Sequence, residues 1–157
     1  MIGMYEKKNK LHIVSVTAVI RRDGKYLVLR RRPDEVAYPG MYAFPGGKIE
    51  DNDTVEETLV KEVKEETSLR LKPGKILLKD RTFVRPDGQT VKVFSYLCEA
   101  EGSVKISNDF TDYKWITIED LRNIEHVGIE EGIRKAEQLL ALGSIDLLKT
   151  KSEKAVD

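Results

Sequence analysis

Two adjacent glycines followed by an acid-crowded helix constrain this chain more than any other feature. The stretch is GGKIEDNDTVEETLVKEVKEETSL, Gly46 to Leu69. Residues 54–67 predict a helix, and both Asp53-x-x-Glu56 and Thr54-x-x-Glu57 read as capping boxes at its start. At about 100° per residue, Val55, Leu59 and Val63 form an apolar stripe. Measured from Val55, Glu66 falls at ~20°, inside the stripe, Glu62 at ~340° and Glu65 at ~280°. The glutamates therefore divide. Glu57 stands four residues before Lys61, and Lys61 four before Glu65, an ordinary surface ladder worth about 0.2–0.5 kcal/mol per pair. Glu62, Glu65 and Glu66 instead crowd one side at spacings of three and four. Their repulsion grows wherever water is excluded, and Glu66 points at the core edge, where an unpaired carboxylate is costly. No cation on the same helix reaches that side. A hard divalent cation, Mg²⁺ or Mn²⁺, suits three clustered carboxylates; a wholly solvated acidic face is the alternative.

The rest of the chain says what such a helix packs against. His12–Ile20 is rich in β-branched residues and predicts a buried strand. Asp23-Gly24 is a hairpin turn leading into Tyr26–Arg30. Met41–Phe44 is a short extended piece stopped by Pro45-Gly46-Gly47. Ile76–Leu78, Arg81–Val84 and Val91–Cys98 predict strands, the last two joined by a hairpin at Pro86-Asp87-Gly88, and Tyr113–Ile116 is a further strand. Thr117-x-x-Asp120 opens a short helix, and Ile129–Leu142 forms a longer one ending at Gly143. Strands around a central helix, with more helix at the end, predict an α/β or α+β sandwich. A single domain over residues 1–148 is expected, with residues 149–157 a polar, frayed tail.

Composition narrows the partners. Lys+Arg and Asp+Glu each number 27, giving a formal net charge of zero, so the chain lacks an electrostatic footprint for nucleic acid or an anionic membrane. No apolar run approaches the ~20 residues of a membrane span, and the first ten residues lack an apolar core. The one cysteine, Cys98, sits in a predicted strand and reads as a buried, inert thiol, which fits a cytoplasmic setting. His12 and His126 have no neighbours that suggest catalysis and read as structural.

The acidic helix and the residues before it resemble the Nudix hydrolases, whose box is G-x5-E-x7-R-E-U-x-E-E-x-G-U, with U a bulky aliphatic residue. Gly47, Glu62, Val63, Glu65, Glu66 and Leu69 match it without a gap, and Ala43-Phe44-Pro45-Gly46 matches what usually precedes it. Three positions depart: Asp53 stands for glutamate, Lys61 for arginine and Ser68 for the last glycine. Charge signs are kept, but lysine lacks the arginine fork. Serine at a left-handed helix end costs on the order of 1 kcal/mol.

The resemblance implies an α/β/α sandwich with a mixed central sheet. It also implies Mg²⁺-dependent hydrolysis of the diphosphate bond in a nucleoside diphosphate linked to another group, a nucleoside triphosphate or a related compound, releasing a nucleoside monophosphate. Glu62, Glu65 and Glu66 are the expected catalytic residues and metal ligands. Gly46 joins them, as does Asp109, six residues before Trp115, with Asp112 the alternative. Gly47, Asp53 and Lys61 are expected to be structural within the box. Arg30, Arg31 and Arg32 end a strand near the site, and Arg30 and Arg32 are expected to contact substrate phosphate. Trp115, Phe44 and Tyr42 offer stacking surfaces or core packing. Pro86 lies close to where ADP-ribose-cleaving members carry a proline, but the Asp87-Gly88 turn accounts for it. A homodimer is compatible with the family. Lys61 and Ser68 leave open a nucleotide-binding regulator with weak or lost catalysis, and a partner-binding domain with merely solvated acids is the third reading.

Overall fold

The computed structural model describes residues 11–143; the expected tail at 149–157 and the first ten residues lie outside the described residues. Among the described residues, nine strands and two α-helices follow one another. They are β1 (Ile13–Arg22), β2 (Lys25–Arg31), β3 (Tyr42–Ala43), β4 (Gly46–Lys48), α1 (Val55–Thr67), β5 (Arg70–Leu71), β6 (Ile76–Val84), β7 (Thr90–Cys98), β8 (Ala100–Glu101), β9 (Phe110–Ile116), a 3-10 helix (Ile118–Asn123) and α2 (Glu130–Ala141).

The main sheet runs β3-β2-β1-β7-β6, with β4 added to β1 and β9 to β2. It is mixed: β1 and β7 are parallel from Ile13↔Val91 to Ile20↔Cys98, and the other pairs are antiparallel. β1 holds β2 only at Arg21↔Tyr26 and Arg22↔Lys25, so the sheet opens into two wings beyond the hairpin. Asp23 and Gly24 turn it with positive φ at both positions, 51° and 78°, as a primed hairpin turn requires.

Alternation along β1 divides the core. Val16, Ala18 and Ile20 pack with Leu59, Val63 and Leu69 under α1. Val19 faces the opposite side, with Leu97, Ile129, Ile133 and Ala136 beneath α2. Leu59 is 1% exposed and Val63 0%, each burial contributing roughly 1.5–3 kcal/mol. This burial fixes the rotation of α1 and therefore the direction in which its glutamates point. The layers are helix, mixed sheet, helix, as the family resemblance implies.

Two expectations are corrected. The predicted strands Ile76–Leu78 and Arg81–Val84 are one strand, β6. Its register with β7 shifts between Leu77 and Lys79. A bulge absorbs the extra residue, so the alternation breaks while the strand continues. Gly46 and Gly47, read as the stop of a strand, instead lie within one, β4, paired with Thr17 and Val16.

Candidate active site at the glycine strand and the acidic helix

The site begins at β4. A Cβ on Gly46 would lie 2.2 Å from the Val16 carbonyl oxygen and 2.9 Å from the Thr17 Cα, and one on Gly47 would lie 2.5 Å from Glu62 Cδ. Both glycines are required by close approach rather than by turning: at Gly46 the neighbour is backbone, at Gly47 it is a carboxylate of α1. Because β4 comes this close, the Gly46 amide donates to Glu66 Oε1 at 2.9 Å.

Helix α1 is set by its ends. Thr54 is the N-cap: its side chain accepts from the Glu57 amide, and Glu57 accepts in return from the Thr54 amide. Of the two capping boxes the sequence offers, Thr54-x-x-Glu57 forms. At the other end Ser68 takes the left-handed conformation with φ 67°. Its amide donates to the Lys64 carbonyl, and its hydroxyl donates to the Lys105 carbonyl at 3.0 Å. Asp53 and Lys61, two departures from the box, face each other, with Lys61 Nζ 3.5 Å from Asp53 Oδ2.

Glu62 and Glu66 are half-buried and Glu65 is exposed. Burial, foremost, pushes the Glu66 carboxyl up to about 8. The Gly46 amide opposes the rise, and Glu62, Asp109 and Glu65 add to it. Glu62 is also raised, first by burial, then by Glu65, with Lys61 opposing. Asp109 is felt by both. It is exposed and comes from the segment before β9, which is stitched to the end of α1: the Lys105 amide donates to the Thr67 carbonyl at 2.8 Å, and the Ser107 amide to the Glu66 carbonyl at 3.1 Å. Asp112 points elsewhere and accepts from the Tyr42 hydroxyl at 2.5 Å.

Among the described residues, no three His, Cys, Asp or Glu side chains stand close enough to form a ready-made metal cage. The donor chemistry nonetheless fits a hard divalent cation. Glu62, Glu65 and Glu66 supply carboxylate oxygens on consecutive turns, and the Gly46 contact leaves the second Glu66 oxygen free of any protein hydrogen bond among the described residues.

The three arginines part company. Arg30 donates to the Gly40 carbonyl and lies over the Tyr42 ring at 5.9 Å. Arg32 is held by Asp34 and donates to the Asn108 carbonyl, next to Asp109. Arg31 lines a cavity of about 290 Å³ above the sheet, shared with Thr17, Phe44, Lys79, Arg81 and Ser95 among others. The sequence drew attention to Arg30 and Arg32 but carried no signal for Lys79, Arg81 or Ser95, because which face of β6 and β7 meets the cavity depends on the bulge. Tyr42 is core, and the half-buried Trp115 is covered by Arg22 at 4.9 Å. His126 bridges to Tyr42 through backbone. Cys98 is buried, its thiol pushed up to about 12 by desolvation. Pro86 sits in the β6–β7 turn.

Comparison with known proteins bears on the family and the fold. The profile of the NUDIX domain matches residues 11–137. The chain is 31% identical over 137 residues to the nucleoside triphosphatase NudI of Escherichia coli O139:H28, covering 81% of this chain and 95% of that protein. It is 32% identical over 120 residues to NudI of Klebsiella pneumoniae, covering 70% and 85%. Among solved structures, the MutT protein of Methanosarcina mazei superposes with a TM-score of 0.69 at 26% identity, over 84% of this chain and 98% of that one. The NUDIX domain of Shewanella oneidensis NrtR, crystallised with ADP ribose, shares the fold at 0.69 and 20% identity, over 86% and 92%. No described helix is long and apolar enough to cross a membrane. With the box read on α1 and β4 and the domain profile spanning most of the chain, this protein belongs to the Nudix hydrolase family and is a pyrophosphohydrolase of that family.

Proposed function

We propose that the protein hydrolyses nucleoside triphosphates between the α and β phosphorus atoms, yielding a nucleoside monophosphate and diphosphate, with Mg²⁺ as its cation. The observation that carries this reading is the Gly46 amide bond to Glu66, which fixes a half-buried carboxylate beside Glu62 and within the field of Asp109. The similarity to NudI proteins, described as nucleoside triphosphatases, supports the substrate class.

Nudix hydrolases use divalent metals. When bound, such a cation neutralises diphosphate charge and lowers the pKa of coordinated water. Glu62, Glu65 and Glu66 would hold it. The Gly46 amide orients Glu66 by holding one of its oxygens, and the missing side chain at Gly47 leaves room for the Glu62 carboxylate. Lys61, tied to Asp53, stands beside Glu62 and lowers the cost of its charge. A carboxylate of this group left free of the cation accepts the proton of the attacking water. Arg32, which bonds the Asn108 carbonyl, holds the strand end against the Asp109 segment, and Arg30 presents an exposed guanidinium edge toward solvent for phosphate oxygens. The features that suggested a catalytically weak regulator are locally accommodated: Lys61 has its Asp53 partner and Ser68 its Lys105 partner.

The test is product analysis by ion-exchange chromatography. The four nucleoside triphosphates, ADP ribose and a dinucleoside polyphosphate are incubated with the protein in Mg²⁺, then in EDTA. Nucleoside monophosphate with diphosphate from at least one triphosphate, lost in EDTA, is expected. Orthophosphate with a nucleoside diphosphate, or turnover of ADP ribose alone, would overturn the assignment.

A further inference from the structure

Asp109 meets the acidic end of α1 from β9, a strand of the other wing of the sheet, and a register slip brings it there. β9 pairs with β2 from Tyr26↔Ile116 to Arg30↔Asp112 without a gap, then skips Thr111, so that Phe110 stands opposite Arg31. Bulges re-aim the side chains beyond them and recur beside active sites. Alternation along a strand would otherwise put Phe110 on the face of Asp112, which bonds Tyr42 in the core beneath α2. The slip turns Phe110 to the opposite face, where it joins Trp115 against the core under α1.

The residues before Phe110 are fastened on two sides. On the α1 side the bonds are backbone, from the Lys105 and Ser107 amides to the Thr67 and Glu66 carbonyls. Between them and β9 a turn closes: the Asp109 amide donates to the Ser107 hydroxyl at 3.4 Å and the Phe110 amide to the Ser107 carbonyl at 3.2 Å. On the β2 side the fastening is one side chain. Arg32 Nη1 donates to the Asn108 carbonyl at 3.2 Å, the residue before Asp109. Among the described residues, no other side chain from outside residues 107–110 bonds them.

Arg32 is itself held. Its Nε and Nη2 donate to the two oxygens of Asp34 at 2.9 and 3.5 Å, and its carbonyl accepts from the Glu35 and Gly40 amides. Its contact with Asp34 holds that carboxyl below the usual range. The donors of a guanidinium lie in a rigid plane, so turning the fork toward solvent would release Asn108.

We propose that Arg32 is a positioning residue: through the Asn108 carbonyl it holds the Asp109 carboxylate where it shares a divalent cation with Glu62 and Glu66. The proposal rests on the cation-dependent reading above and removes Arg32 from the groups that touch substrate phosphate.

Mn²⁺ binding to the nucleotide-free protein is measured by calorimetry for the wild type, R32A, R32K, D109A and the R32A/D109A double variant, with kcat and KM for nucleoside triphosphates alongside. R32A is expected to weaken Mn²⁺ binding and to lower kcat by about tenfold each, the lower end of what losing a group behind a metal ligand costs, with KM changed less than about twofold. D109A should lose at least as much. Adding R32A to it should cost less than about twofold more, because a residue that acts through Asp109 has nothing left to act on. R32K should recover part of the loss, since lysine lacks the fork that holds Asp34 and Asn108 together. A loss confined to KM, with Mn²⁺ binding intact, would assign Arg32 to substrate phosphate and overturn the proposal. Additive losses in the double variant, or wild-type Mn²⁺ binding by D109A, would overturn it too. Arg32-dependent Mn²⁺ binding with ADP ribose as the one compound hydrolysed would sink the triphosphatase reading alone; triphosphate turnover with Mn²⁺ binding indifferent to Arg32 would sink this one alone.

Discussion

Glu57 and Glu66 stand on the same helix, nine residues apart, and are the same amino acid, yet their surroundings drive their acidities in opposite directions. At the start of α1, the Thr54 amide and hydroxyl beside Glu57 hold its carboxyl below the usual range while water covers it. Near the end of α1, burial against β4 pushes Glu66 up to about 8, and the single Gly46 bond does not reverse the effect. At the start of the helix an acid is used to hold the helix together: it satisfies an orphan amide and complements the helix dipole. At the end, Glu62 and Glu66 are half-buried, and the carboxyl of each is raised first by burial and further by neighbouring carboxylates. Perturbed acids such as Glu62 and Glu66 gather where chemistry is done, and the contrast within one helix sets an acid satisfied at its cap apart from two acids raised by burial.

The widest separation is expected in turnover. Glu66→Gln keeps the shape and one acceptor oxygen for the Gly46 amide but loses the charge. Nucleoside triphosphate hydrolysis should fall by about 100-fold or more, the range for loss of a direct proton-transfer or charge-bearing group, with an unchanged circular dichroism spectrum. Glu57→Gln should leave kcat/KM within about twofold. Equal effects at the two positions would erase the distinction.

The pH dependence of stability should separate them next. In metal-free protein held in EDTA, Glu66 has a folded pKa of about 8 against an ordinary 4.5. The native state then binds the proton more tightly than the unfolded chain. Its contribution is present in full below about 4.5 and disappears as pH rises through 8. Glu57, lowered in the folded state, works the other way: its contribution is present above 4.5 and is lost as pH falls through its folded value. Urea midpoints measured across pH 5–8 should therefore decline for the wild type and flatten for Glu66→Gln, while Glu57→Gln keeps the decline.

Most of this contrast is legible in the sequence. Periodicity places Glu66 within the Val55–Leu59–Val63 stripe and Glu57 opposite, because helical geometry and burial of Leu59 and Val63 determine the rotation. The capping box identifies the start of α1 to within one residue, and the Ser68 position is recognisable as left-handed from the box. What escapes is non-local. Gly46 and Gly47 look like a turn, since nothing in their neighbourhood reveals that residues 15–17, thirty positions earlier, come within contact distance. Asp109 is reached only by resemblance. Its position depends on the backbone bonds from Lys105 and Ser107 to the end of α1, which no side-chain pattern encodes. The bulge at Leu78 hides β6 as one strand, and with it the face that brings Lys79 and Arg81 to the cavity.

Gly47→Ala probes the contact at the end of α1 without touching a charge. The added methyl would sit 2.5 Å from Glu62 Cδ, so the Glu62 carboxylate must swing away. A misplacement of this size is expected to lower kcat/KM by about tenfold with little change in stability, because the displaced group is the far end of a flexible, half-exposed side chain. A large loss of stability instead would mean that β4 itself moves.

The smallest effect belongs to Ser68, where one gain opposes two losses of similar size. Its φ of 67° costs a non-glycine residue roughly 1 kcal/mol, which glycine would relieve. Glycine would also lose the exposed Ser68 hydroxyl bond to the Lys105 carbonyl, worth about 0.5–1 kcal/mol, and would loosen the unfolded chain by a further ~0.4–1 kcal/mol. Ser68→Gly should therefore fall between no net change and a destabilisation of about 1 kcal/mol. Ser68→Ala keeps the strain and drops the bond, so it should destabilise by about 0.5–1 kcal/mol. If Ser68→Gly is the more damaging of the two by urea denaturation, the left-handed φ costs less at this position than the freedom glycine adds to the unfolded chain.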